Sequence, residues 1–158
     1  MNKTNAMRIL DTAKIPYVAK EYPVDENDLS GVHIADQIEM PREQVFKTLV
    51  ARGDKTGIAV FVIPCNMELD LKKCANISKN KRVELIAVKE LLAVTGYIRG
   101  GCSPIGMKKR YPTYFDESVM LYDKITVSAG MRGCQLLVDS SKIIKLTEAV
   151  CADITMIL

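Results

Sequence analysis

The chain is 158 residues long, 48% hydrophobic and 26% charged, with a formal net charge of +3 at pH 7. That length points to one domain spanning residues 1–158, because cores divide only well above ~200 residues, and the composition is neither disordered nor collagen-like. One histidine, five cysteines and no tryptophan exclude a multi-histidine metal centre, a Cys-x-x-Cys zinc ribbon, a disulfide framework and a broad aromatic carbohydrate platform.

Helical spacing of Ala6, Ile9, Leu10 and Ala13 predicts a helix over Asn5–Lys14, capped by Thr4 or Asn5 and ended by Pro16. Tyr17–Tyr22 reads as a short strand closed by Pro23, and Ser30 as the cap of a second helix stopped at Met40-Pro41. Val45–Ala51 is a strand by residue type, Arg52–Gly57 a turn, and Ile58–Ile63 the returning strand. That second strand is apolar on both faces, so it belongs at the centre of a covered sheet. A short helix is expected over Asp70–Ala75, a strand over Val83–Ala87 and a helix over Val88–Val94 closed by Gly96. Gly100–Gly106 can only be a loop. Strands follow at Pro112–Asp116, Lys124–Ser128 and Cys134–Val138, then a helix capped by Ser140 and an end strand within Asp153–Leu158. Hairpins mixed with scattered helices predict an α+β domain, a curled mixed sheet or partly closed barrel with helices around it.

The longest apolar run, Ile58–Pro64, is far short of the ~20 residues of a membrane span. Met1–Asn5 leads into no apolar signal core, so a cytoplasmic location with no membrane contact is expected. Charge is unevenly spread. Lys72-Lys73, Lys79 with Lys81-Arg82, and Lys108-Lys109-Arg110 form basic clusters, while Asp25-Glu26-Asn27-Asp28 is acidic.

Two features invite chemistry. Lys47 lies inside a strand neither face of which is plainly wet, so it either snorkels from an edge or points into a cleft. The loop Gly100-Gly101-Cys102-Ser103-Pro104-Ile105-Gly106 lets a ligand approach backbone amides closely. It is not a P-loop, because Met107 separates Gly106 from Lys108 and no Ser or Thr follows. Cys102 and Ser103 are conceivable nucleophiles, yet the only imidazole, His33, sits on an early helix.

Three ordered segments then carry a resemblance: Val45-Phe46-Lys47-Thr48-Leu49, Gly96–Gly106, and Val127-Ser128-Ala129-Gly130-Met131-Arg132-Gly133. Together they resemble the YbaK/EbsC family of aminoacyl-tRNA deacylases, related to the insertion editing domain of bacterial prolyl-tRNA synthetase, over essentially the whole chain. The loop looks most like the branch acting on cysteinyl-tRNA(Pro); Cys102 departs from the aliphatic residue often found there. The resemblance implies that Lys47 is the required lysine, that the amides of Gly100 and Gly101 hold the ester carbonyl, and that Tyr22 and Ser128 line the pocket. It implies that Ser103 and Pro104 shape the loop against the substrate. It also implies no cofactor and no metal, substrate-assisted release of cysteine, and tRNA(Pro) recognised at its acceptor end with prolyl-tRNA synthetase as a partner. A deacylase for another small residue such as alanine, and a non-enzymatic RNA-binding module, stay open. Hydrolysis of an ester needs an oxyanion stabiliser more than an enzyme nucleophile, and backbone amides supply one.

Overall fold

The computed structural model describes residues 2–156. Thr4 Oγ1 accepts the Met7 N–H at 3.2 Å and opens α1 (Asn5–Thr12), whose buried side is Ala6, Met7 and Leu10. After β1 (Tyr17–Glu21), Ser30 caps α2 (Gly31–Gln37) through the His33 N–H. β2 (Phe46–Gly53) and β3 (Gly57–Pro64) form a hairpin, followed by β4 (Glu68–Leu69) and by α3 (Leu71–Ser78), capped by Asp70. β5 (Val83–Leu85) leads through a 3₁₀ turn into α4 (Leu91–Thr95), which Gly96 ends at φ 87°. The rest is β6 (Thr113–Asp116), β7 (Lys124–Ser128), β8 (Cys134–Asp139), α5 (Ser140–Thr147), β9 (Val150–Ala152) and β10 (Thr155–Met156). None of the described helices is long and apolar enough to cross a membrane.

A five-stranded sheet in the order β5-β2-β3-β6-β9 is antiparallel on one side of β3 and parallel on the other. A three-stranded antiparallel sheet, β1-β8-β7, lies against it. β3 sits at the centre, as its two-faced apolarity requires. Alternation along it feeds two cores. Val60 and Val62 join Phe46, Phe115, Ile125, Val127, Leu136, Val138 and α1 between the sheets, while Ala59, Phe61 and Ile63 join Cys74, Ala75, Leu69 and Ile154 on the other face. Each such buried aliphatic or phenyl group stabilises the fold by ~1.5–3 kcal/mol. A single parallel bridge, Val45 to Thr126, links the sheets. The barrel is therefore only partly closed.

Some boundaries differ from the sequence expectation. Asp139, not Ser140, caps α5, accepting the Lys142 N–H at 3.0 Å, because a carboxylate one residue earlier reaches the same first-turn donor. The strand expected to reach Ala87 stops at Leu85, and the end strand is only Thr155–Met156, with residues 157 and 158 of that expectation outside the described residues. β9 was not expected; it forms because β6 offers a parallel edge to Val150–Ala152.

The β2–β3 turn is held from outside the hairpin. Asn80 is 9% exposed, and its Oδ1 accepts the N–H groups of Lys55 and Thr56, each at 2.9 Å, while its Nδ2 donates to the hydroxyls of Thr56 and Ser78, each at 2.8 Å. Asn80→Ala leaves several of these groups without partners, so it should lower stability by about 2–4 kcal/mol. A shift of the urea midpoint checks this; an unshifted midpoint would mean that water replaces the side chain at no cost.

Candidate active site

β5 pairs only with Ala51–Gly53, so the first half of β2 has no strand partner on that edge. A cavity of about 520 Å³ opens there, where the two sheets fail to close. Its walls come from the α2 approach (Leu29, Ser30), β2 (Val45–Val50), the β5–α4 segment (Leu85–Val88, Leu91), the glycine loop (Arg99, Gly100, Cys102), and Ser128 and Gln135 of the small sheet.

Lys47 stands on this wall, half-buried, opposite Ile63 in the β2–β3 register. Its ammonium joins none of the ion pairs among the described residues. Asp28 also lines the cavity but forms no ion pair with Lys47, and a cation left unpaired in a concave site suits an anionic or strongly polar ligand. Cys65 is close enough to feel it. Burial pushes the Cys65 thiol up to about 11, and the Lys47 charge works against that rise.

Gly100 has φ 86°, in the left-handed region, with Leu29 and Arg132 on its flanks: a Cβ here would lie 3.3 Å from Arg132 Nε and 3.4 Å from Leu29 Cδ1. Among the described residues its N–H donates no hydrogen bond. The neighbouring amide behaves differently. Gly101 N–H is engaged by Ile98 O at 3.0 Å, and Gly101 is not on the cavity wall. Of the two amides considered from sequence, only that of Gly100 is free to receive an oxyanion.

The loop is pinned at several points. Arg132 Nε donates to Arg99 O at 2.8 Å, and the buried Tyr97 hydroxyl donates to Ile105 O. Ser103 is fully buried, its Oγ accepting Ile105 N–H at 3.2 Å, and Pro104 lines a separate cavity of about 200 Å³ behind the loop. Neither Ser103 nor Pro104 reaches the main cavity, where sequence placed them against substrate. Ser128 does reach it. Its Oγ accepts Gly130 N–H at 3.2 Å, leaving the hydroxyl proton free to donate into the cavity. Tyr22 is absent from the wall; burial holds its phenol above the ordinary value, opposed by the nearby donors of Gly133 and Gln135, and Gln135 in turn lines the cavity.

Cys102 lines the cavity, but burial pushes its thiol up to about 12, so it is protonated and a poor nucleophile at neutral pH. His33 is paired with Asp25 at 3.4 Å and is not on the cavity wall, so no Cys102–His33 couple forms. Sequence reasoning passed over Leu29, Cys65, Arg99, Arg132 and Gln135. Arg99 and Arg132 stood inside the quoted motifs, but nothing in the sequence says that one side chain clamps the carbonyl of the other. Leu29, Cys65 and Gln135 are brought to the cavity only by the way the sheets meet.

The sequence profile described as "Aminoacyl-tRNA editing domain" matches residues 30–146. A relative from Enterococcus faecalis (strain ATCC 700802 / V583), "Putative Cys-tRNA(Pro)/Cys-tRNA(Cys) deacylase EbsC", is 50% identical over 153 residues, covering 97% of this chain and 93% of that one. Among solved structures, "Crystal structure of a putative trans-editing enzyme for prolyl tRNA synthetase" superposes with a TM-score of 0.82 at 23% identity, covering 98% of this chain and 99% of that one. "Crystal structure of hypothetical protein APE2540" gives 0.85 at 18% identity, with 94% and 97% coverage. At these identities the two structures speak for the fold alone.

Proposed function

The chain belongs to the aminoacyl-tRNA editing domain family, and we propose that it is a trans-editing deacylase releasing cysteine from mischarged Cys-tRNA(Pro). The observation that carries this reading is the pairing, in one cavity, of an ammonium that forms no ion pair and a loop amide that has no acceptor among the described residues. Lys47 holds a phosphate or ribose oxygen of the terminal adenosine, and the Gly100 N–H receives the ester oxygen as it gains charge. The Ser128 hydroxyl donates to the bound aminoacyl group. Tyr22 acts on the site through Gln135, and Gly101, Ser103 and Pro104 hold the loop in shape.

The wall offers no activated nucleophile, since its two thiols are held protonated by burial. The substrate brings one. A cysteinyl thiol is a few per cent ionised near pH 7. Its sulfur attacks the carbonyl carbon of its own ester, the oxyanion rests on the Gly100 amide, and collapse breaks the bond to the ribose oxygen. The proton given up by sulfur ends on that oxygen, and the amino acid leaves as a cyclic thioester that water later opens.

Comparison of Cys-tRNA(Pro) with its S-methylated form tests this chemistry. The blocked thioether should be released more than about tenfold more slowly, because an intramolecular attack has been removed. Cys102→Ala should keep most of the activity toward the free thiol. Equal release of both esters would make water the nucleophile. The same assay over alanyl and other aminoacyl-tRNAs separates a cysteine deacylase from one for another small residue, and no turnover of any ester would favour an RNA-binding module. We place the protein in the cytoplasm with its tRNA substrate, and take prolyl-tRNA synthetase as the partner that supplies the mischarged tRNA.

A further inference from the structure

We propose that the corner formed by Lys55, Lys79, Lys81 and Arg82 is a docking surface for duplex phosphates of the RNA whose 3′ end enters the cavity. This deepens the functional reading above and rests on it for the identity of the polyanion.

The three basic clusters seen in the sequence are not equivalent in the folded chain. Lys73 pairs with Asp153 at 2.9 Å and Arg110 with Glu148 at 2.8 Å, leaving Lys72 and the neighbours Lys108 and Lys109 as the cations of those two clusters unpaired among the described residues. Lys79, Lys81 and Arg82 take part in no ion pair among the described residues, and all three are exposed. Folding adds a fourth cation that sequence proximity did not suggest. Asn80 binds the N–H groups of Lys55 and Thr56, while Asp54 Oδ1 accepts the N–H groups of Lys81 and Arg82, each at 3.0 Å. These reciprocal bonds stitch the β2–β3 turn to the segment before β5 and gather Lys55 beside the other three. The corner is thus a fixed array, and holding the cations in place beforehand lowers the entropy lost on meeting a rigid polyanion. Asp54 is engaged by the backbone amides of Lys81 and Arg82, which hold its carboxyl below the usual range, and exposed Glu84 follows on β5, so the cations outnumber the carboxylates here by four to two.

The corner is also at a useful distance from the chemistry. β2 runs from Lys47 in the cavity to Gly53 at the turn, a span of ~20 Å at ~3.3 Å per residue. β5 leads from Arg82 to Leu85 and Ile86 on the cavity rim in ~10 Å. An RNA end anchored at Lys47 covers that distance in a few nucleotides, so the phosphates arriving at the corner belong to the start of a duplex. Lysine and arginine point charges suit phosphates read for position and not for sequence. Exposed Arg99, on the glycine-loop wall, adds a further cation to the cavity.

The test measures binding apart from turnover. Two uncharged probes are compared, an RNA hairpin ending in single-stranded CCA and a CCA-ended single-stranded tetranucleotide, by fluorescence anisotropy over a salt series. Lys81→Ala/Arg82→Ala should weaken the hairpin roughly tenfold or more at low salt and flatten its log Kd against log salt slope by about two units, one per lost phosphate contact. The tetranucleotide should be unaffected. Exposed side chains whose backbone N–H groups carry the structural bonds leave folding intact; Lys55→Ala, expected to weaken the hairpin with a slope change of about one unit, serves if the double variant does not fold. Hairpin affinity within twofold of the parent overturns the proposal, as does equal weakening of both probes. Failure of the parent protein to release cysteine would count against the deacylase reading alone, because the affinities are read without turnover.

Discussion

Lys47→Ala is expected to lower kcat/KM for Cys-tRNA(Pro) by at least ~100-fold, while the protein unfolds at nearly the parental urea concentration. The first half follows from losing a charge-assisted contact worth about 3 kcal/mol. The second follows from the absence of any carboxylate left behind: Lys47 makes no ion pair among the described residues. Truncation therefore strands no buried charge, and the stability change should stay below about 1–2 kcal/mol. Release assays on the folded variant decide the matter. Near-parental turnover would return Lys47 to the role of an edge lysine that keeps β2 from pairing with other chains.

Gly100→Ala should abolish most activity by a different route. At φ 86° an L side chain is strained by ~1–2 kcal/mol, and the new methyl would press between Arg132 and Leu29 at 3.3 and 3.4 Å. Either effect moves the amide that receives the oxyanion, and the loss of one such donor typically costs ~10²–10³ in rate. Gly57→Ala is the matched control. Gly57 has φ 77°, and a Cβ there would meet nothing within 4 Å, so the substitution carries the backbone strain without the crowding and far from the cavity. It should lose comparable stability and keep its activity. If Gly100→Ala is as active as Gly57→Ala, the Gly100 amide is not the oxyanion donor.

How much of this was legible in the sequence varies with the reach of the forces involved. α1, the β2–β3 hairpin and the Gly96 cap follow from local patterns: helical spacing, alternation and the left-handed conformation that glycine tolerates. The centrality of β3 was readable because burial on both faces leaves a composition with no polar side. β9 was not readable, since three residues acquire strand character only from β6 beside them. The site divides in the same way. Lys47 and the glycine loop drew notice because a cation in a strand and paired glycines are locally odd. That the Gly101 amide is closed off by Ile98, or that Ser103 turns inward to Ile105, depends on how the turn winds, and the residue types do not encode it.

The pairing of β1 with β8 sets Tyr17 against Val138, and this has a bearing on how the protein comes into being. Emerging from the ribosome well before β8, β1 has to wait for β2 to β7 to be synthesised before its neighbour exists. Closing so long a loop is entropically costly and places such contacts late in folding. Ser128 and Gln135, on β7 and β8, which are made long after β2, complete the cavity wall that Lys47 began. A nascent or truncated chain lacking β8 thus has the lysine and the glycine loop but no enclosed site. Competence appears only once β8 has paired, as a property of a long-range contact and not of the residues that do the chemistry.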